Sequence, residues 1–109
     1  MINLSKICSE NLRSMDIFAR YGGEEFVILM PDTNADSAFQ SMERLRTKIE
    51  KTPLGKHEGA DLFVTISLGI VVWDGEGSLD IRALLSRADQ ALYTSKESGR
   101  NRTTIWKKS

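Results

Sequence analysis

Two adjacent glycines, Gly22 and Gly23, separate two short apolar runs, and Glu24 and Glu25 follow at once. A diglycine so placed commits the chain to a tight reversal. Glycine enters the positive-φ turns that match strand twist without steric cost. The flanks then read as the arms of a hairpin, residues 17–21 and 25–31. In the second arm Phe26, Ile28 and Met30 alternate with Val27 and Leu29. Both faces are apolar, which places that strand inside its sheet rather than at an edge. Pro31 has no backbone donor for a further ladder bond and ends it.

Helical spacing flanks this hairpin. Residues 3–15 fit an amphipathic helix, capped at Asn3 or at the competing Ser5, with Leu4, Ile7, Cys8, Leu12 and Met15 on one broad face. Thr33 caps a second helix running to about Lys51, whose stripe is Ala35, Ala38, Phe39, Met42, Leu45 and Ile49. Lys56 to Asp61 is polar and reads as a loop. Residues 62–73 predict a long strand, with Val64, Ile66, Leu68 and Ile70 toward the core and Gly69 marking a bulge or a close backbone approach. Residues 74–77 form a turn, and Ser78 caps a third helix over 79–98, with Leu84, Leu85, Ala88 and Leu92 buried. Gly99 closes it. Residues 103–107 predict a last strand. A hairpin beside crossover helices points to a two-layer α+β domain rather than a doubly wound one.

Fifteen basic and fifteen acidic side chains cancel in the 109-residue chain. No global charge favours DNA, RNA or an anionic membrane, but a local positive patch for a small anion is compatible with this balance. Cys8 is the single cysteine and forms no intrachain disulfide, which suits a reducing, cytoplasmic setting. No apolar run is long enough to cross a bilayer.

The chemistry concentrates at the turn. Hard carboxylate oxygens beside a close backbone bend suit Mg²⁺ or Mn²⁺, with phosphates completing the shell. Glu24 and Glu25 are neighbours, so a strand would point them to opposite faces. The plainer reading of these four residues is a polar hairpin with two solvated glutamates. Lys96 and Arg100 stand four apart and would share a face on a continuing helix. They suit phosphate as a point charge and a directional fork, or simply complement a helix C-terminus. His57 lies in a polar loop without partners for a zinc site.

Beyond the turn, an ordered set of motifs spans almost the whole chain. Arg13-Ser-Met-Asp16 precedes Arg20-Tyr-Gly-Gly-Glu-Glu-Phe26. Val27-Ile-Leu-Met-Pro31, Glu43-Arg44-Leu45-Arg46, Val64-Thr-Ile-Ser-Leu-Gly-Ile70, Asp89-Gln-Ala-Leu-Tyr93 and Lys96-Glu-Ser-Gly-Arg-Asn101 follow. Together they resemble the GGDEF domain, the catalytic domain of diguanylate cyclases. The resemblance implies a palm or ferredoxin-like, nucleotide-cyclase-like antiparallel sheet with packed helices. It implies condensation of two GTP into cyclic di-GMP and pyrophosphate by a homodimer, with an upstream sensory domain in a longer parent.

By the same resemblance Glu24 and Glu25 are catalytic and metal-binding. Gly22 and Gly23 form the turn over the GTP phosphates, and Lys96 and Arg100 bind the terminal phosphates. Arg13 and Asp16, with Arg44 as a secondary arginine, match an inhibitory site for cyclic di-GMP; an ordinary Arg–Asp surface pair is the alternative. Asp89 matches a structural position that anchors its helix.

The family's first, central strand, with a metal-binding aspartate, and the segment after it have no counterpart in residues 1–109. In the family that strand lies between the hairpin and the strand at 62–73. The expectation is an incomplete domain with little cyclase activity by itself, whose sheet is closed by direct pairing, by a second copy or by aggregation. A degenerate cyclic di-GMP-binding module and a ligand-free dimerisation fragment are the alternative functions.

Overall fold

A computed structural model describes residues 4–73 and 80–107. The expected cap Asn3, the turn at 74–77 and the expected cap Ser78 lie outside the described residues. The chain runs α1 (Leu4–Glu10), β1 (Ile17–Gly22), β2 (Glu25–Pro31), α2 (Ala35–Lys51), β3 (Lys56–His57), β4 (Ala60–Asp61), β5 (Ser67–Trp73), α3 (Ile81–Glu97) and β6 (Thr103–Ile105).

The main sheet has the order β1-β2-β5-β6. The β1–β2 hairpin is antiparallel, with Ile17 opposite Leu29 and Arg20 opposite Phe26. The pairs β2–β5 and β5–β6 are parallel. The α+β class holds, while the expected antiparallel sheet becomes a mixed one. The cause is connectivity: α2 and α3 each carry the chain back across the sheet, so the strand after each helix restarts in the original direction. Direct pairing of β2 with β5, from Glu25–Ser67 to Pro31–Trp73, closes the sheet where the resemblance implied an intervening strand.

Alternation along β2 builds two cores. Phe26, Ile28 and Met30 join Leu68 and Ile70 under α2, with Ala38, Met42, Leu45 and Ile49, and α1 adds Leu4 and Cys8. Val27, Leu29 and Val71 meet Leu84, Ala88 and Leu92 of α3. Because adjacent β2 residues serve different helices, the molecule has helices on both faces of the sheet, three layers where two were expected. Gly69 is the closest approach: a Cβ there would lie 2.3 Å from both the Ala88 carbonyl oxygen and the Leu92 nitrogen.

Several element ends differ from the sequence reading. Asn34, not Thr33, caps α2, its side chain accepting from the Ser37 N–H at 2.8 Å. Asp80 caps α3 and accepts from the Arg82 N–H. Phe39 and Leu85, expected in buried stripes, are exposed. The first helix stops at Glu10 and Met15 is exposed, because Arg13 to Asp16 folds as its own turn. The long strand begins only at Ser67. Leu62 is instead spent on a side hairpin, with Leu54 N–H donating to the Leu62 carbonyl and Leu62 N–H donating to the Gly55 carbonyl. Among the described residues no helix is long and apolar enough to cross a membrane.

Candidate functional site

The bend after β1 places Gly23 and Glu24 at its tip, with Gly22 opposite Glu25 and a register shift between Arg20 and Gly22. Neither Gly22 nor Gly23 has a positive φ, so the expected primed turn is corrected. A Cβ at Gly22 would come to 3.0 Å from Glu25 Oε1, a contact that a small shift of the Glu25 side chain relieves. Gly23 has open space around it. Arg20 braces the bend, donating from Nη2 to the Gly23 carbonyl at 2.8 Å and from Nε to the Gly22 carbonyl at 3.3 Å. Its guanidinium also lies 5.8 Å from the Phe26 ring centroid.

Glu25 is the meeting point. Its Oε2 pairs ionically with Lys96 Nζ at 3.3 Å and accepts from Arg100 Nη1 at 3.2 Å. The two cations do not converge through helical periodicity, as expected, because α3 ends at Glu97. Gly99 then takes φ 122°, Arg100 φ 62° and Asn101 φ 47°. This left-handed run bends the chain back toward β5, and the Arg100 N–H donates to the Ser95 carbonyl at 2.9 Å.

An open hollow of about 300 Å³ lies between bend and turn, lined by Gly22, Gly23, Glu24, Glu25, Thr65, Ser67 and Arg100. Glu24 and Glu25 both line it, although strand alternation assigned them to opposite faces; Glu24 belongs to the bend and precedes β2. The Ser67 N–H donates to the Glu24 carbonyl at 2.8 Å. Ser67 Oγ in turn accepts from the Asn101 N–H at 3.2 Å. Thr65 and Ser67 escaped the sequence reading; their signal was the polar residue at every second position of an otherwise apolar run.

Among the described residues no three acidic, histidine or cysteine side chains gather to hold a metal ion. Glu24 and Glu25 supply hard oxygens, which suits an ion that takes one or two carboxylates and fills its shell with substrate phosphates. The donor set fits Mg²⁺ or Mn²⁺ only in that shared form.

Arg13 and Asp16 come together on another part of the molecule. Arg13 Nη2 donates to Asp16 Oδ1 at 2.8 Å, and the Arg13 N–H donates to Oδ2 at 2.8 Å. Nη2 also reaches the Pro31 carbonyl at 2.6 Å, tying this turn to the end of β2. The Asp16 side chain is 1% exposed and that of Arg13 41%. The Asp16 carboxylate holds the Arg13 guanidinium above its ordinary value. Arg44 is exposed on α2, and among the described residues no hydrogen bond or ion pair joins it to Arg13 or Asp16.

Asp89 lies on α3, and among the described residues its buried Oδ1 has no hydrogen-bond partner. Desolvation, and then the hydrogen bond to Asp89, push the Tyr21 phenol up to about 12. Burial pushes the Cys8 thiol up to about 11, away from the reactive thiolate form. His57 lies exposed in β3.

The sequence model of "Diguanylate cyclase, GGDEF domain" matches residues 1–102. Diguanylate cyclase DosC of Escherichia coli K12 is 37% identical over 106 residues, covering 97% of this chain and 23% of that protein. Response regulator PleD of Caulobacter vibrioides is 44% identical over 94 residues, covering 85% of this chain and 20% of that one. The chain thus spans under a quarter of the length of these relatives.

Among solved structures, the GGDEF domain of DgcB from Caulobacter crescentus in complex with c-di-GMP superposes with TM-score 0.69 at 28% identity. It covers 94% of this chain and 60% of that one. Diguanylate cyclase SiaD, in complex with its activator SiaC from Pseudomonas aeruginosa, gives TM-score 0.70 at 28% identity, covering 94% and 38%. On this match along nearly its whole length, the chain belongs to the diguanylate cyclase GGDEF-domain family.

Proposed function

We propose that the hollow is the phosphate end of a GTP site in a diguanylate cyclase domain, and that the 109-residue chain alone turns GTP over little or not at all. The observation that carries the reading is the sharing of one Glu25 oxygen by Lys96 and Arg100, with Glu25 and Arg100 both lining the hollow. Two cations held on one carboxylate oxygen form a site that accepts a phosphate oxygen in its place.

Lys96 would act as a point charge and Arg100 as a fork on the terminal phosphates. The bend, with no Cβ at Gly22 or Gly23, lets the phosphates approach the backbone. Glu24, joined by Glu25 once it is released, would hold a divalent ion together with phosphate oxygens. When bound, that ion offsets phosphate charge and eases attack by a sugar hydroxyl. Low turnover is expected because the acidic residues lining the hollow are Glu24 and Glu25, and no lining residue offers an aromatic face to a base.

Calorimetry with GTP and Mg²⁺ tests the site. Lys96→Ala and Arg100→Ala should each weaken binding about tenfold, the scale of one charge-assisted hydrogen bond. Binding unchanged in both variants would overturn the site. Chromatography after incubation should show little cyclic di-GMP, and clear turnover lost in Glu24→Gln would overturn the inactivity.

A second reading places cyclic di-GMP at Arg13 and Asp16. It is supported by the half-exposed Arg13 guanidinium, which Asp16 holds in a fixed orientation. Heat of binding with cyclic di-GMP that disappears in Arg13→Ala is the expected result, and no heat from folded protein would contradict it.

A further inference from the structure

Arg100 adopts φ 62° and Asn101 φ 47°. A non-glycine residue in the left-handed region costs on the order of 1 kcal/mol or more and persists only where its surroundings hold it. Asparagine tolerates this region through its short polar side chain, whereas arginine has no such compensation. The turn that presents Arg100 to the hollow therefore needs an external support.

That support comes from α2, on a distant part of the chain. Arg46 Nη1 donates to Asn101 Oδ1 at 2.7 Å, and Asn101 Nδ2 donates to Glu50 Oε2 at 2.6 Å. Both ends of the Asn101 amide are thus held by residues one helical turn apart. Arg46 is itself fixed by Glu43, through Nε at 2.6 Å and Nη2 at 2.9 Å. The Asn101 N–H meets Ser67 Oγ, and Ser67 lines the hollow. On the far side of the turn, Arg102 Nε donates to the Arg100 carbonyl at 3.1 Å.

We infer that Asn101, clamped by Arg46 and Glu50 of α2, is a positioning residue that fixes the Arg100 turn and thereby sets how strongly the hollow holds a polyphosphate. The inference rests on the reading of the hollow as a phosphate site. Asn101 itself touches no ligand; it acts through Arg100. The chain of contacts also makes α2 part of the site, although its nearest link reaches the hollow only through Asn101 and Ser67.

The test uses inorganic tripolyphosphate titrated calorimetrically into the full 109-residue chain and four variants. Asn101→Gly keeps the backbone freedom of the turn and removes the amide. Arg46→Met removes the clamp from the other side, and Arg100→Ala removes the phosphate ligand. The fourth variant combines Asn101→Gly with Arg100→Ala.

Asn101→Gly and Arg46→Met should each weaken binding about tenfold, within the range of couplings between contacting residues. In the Arg100→Ala background, Asn101→Gly should cost nothing further, because its effect passes through Arg100. A merely structural role would lower the unfolding temperature and weaken binding equally in both backgrounds, which would overturn the inference. So would full affinity in Asn101→Gly and Arg46→Met while Arg100→Ala binds weakly; in that case the phosphate site itself stands. Failure of the wild-type chain to bind, or equal binding by Arg100→Ala, would sink the site reading and the inference with it. Should one clamp variant not fold by circular dichroism, the other decides.

Discussion

At Gly69 the chain has no room for even one methyl group. An added Cβ would sit 2.3 Å from backbone atoms of α3 on both the Ala88 and Leu92 sides. Neither atom belongs to a flexible side chain, so relief requires the helix to lift from β5. Gly69→Ala should therefore destabilise the fold by about 3 kcal/mol, the upper end of ordinary overpacking. Urea unfolding measures it, and a loss below about 0.5 kcal/mol, the scale of a surface substitution, would contradict the packing described. The need for glycine here was legible in the sequence, because a lone glycine inside an apolar strand marks a bulge or a close backbone approach. Gly22 was legible in position but not in cause. It takes no positive φ, and the atom nearest to an added Cβ ends the flexible Glu25 side chain, so neither handedness nor a rigid contact demands glycine there. Thr65 and Ser67 carried too faint a signal, since an outward polar residue and a cleft residue look alike in a strand.

Among the elements, α2 is the one whose role exceeds what its periodicity announced. Ala38, Met42, Leu45 and Ile49 were readable as its buried stripe, and they are. The polar side of the same helix also makes specific contacts. Glu43 and Arg46 pair in a part-buried setting beside β6. The Arg46 guanidinium, against some opposing desolvation, holds the Glu43 carboxyl below its ordinary value of 4.5. A carboxyl lowered by folding stabilises the native state above its unfolded value, and that contribution is lost as pH falls through the folded value. Thermal unfolding should thus weaken more steeply below pH 4.5 in the wild-type chain than in Glu43→Gln. Parallel curves would show that this pair adds no pH-dependent stability. Element ends were the least legible feature. Thr33 and Asn34 are both good caps, and only the hydrogen bond from the Ser37 N–H to Asn34 decides between them. Likewise the run 62–73 looks like one strand, but Leu62 finds its backbone partners at Leu54 and Gly55.

For the whole molecule, the apolar faces of β2 announced an internal strand, but not which strand would lie beside it. Partner choice in a sheet depends on crossovers and long-range packing, which periodicity does not encode. The observed partner is β5, in parallel register, and this pairing brings Ser67 beside Glu25 at the start of both strands. The same register places the bend of the hairpin next to the turn after α3. Glu25 and Arg100, 75 residues apart, therefore line one hollow, and Lys96 joins them through its ion pair with Glu25. A net charge of zero conceals this local cluster. In the proposed function, this meeting place receives the phosphates of GTP. Its most direct test is a titration of the ¹⁵N-labelled chain with GTP and Mg²⁺, following backbone amide shifts. The largest changes should fall at Gly22 to Glu25, Thr65 to Ser67 and Lys96 to Asn101. Changes confined to the Arg13–Asp16 turn or to the β3–β4 hairpin, or none at saturating nucleotide, would contradict it.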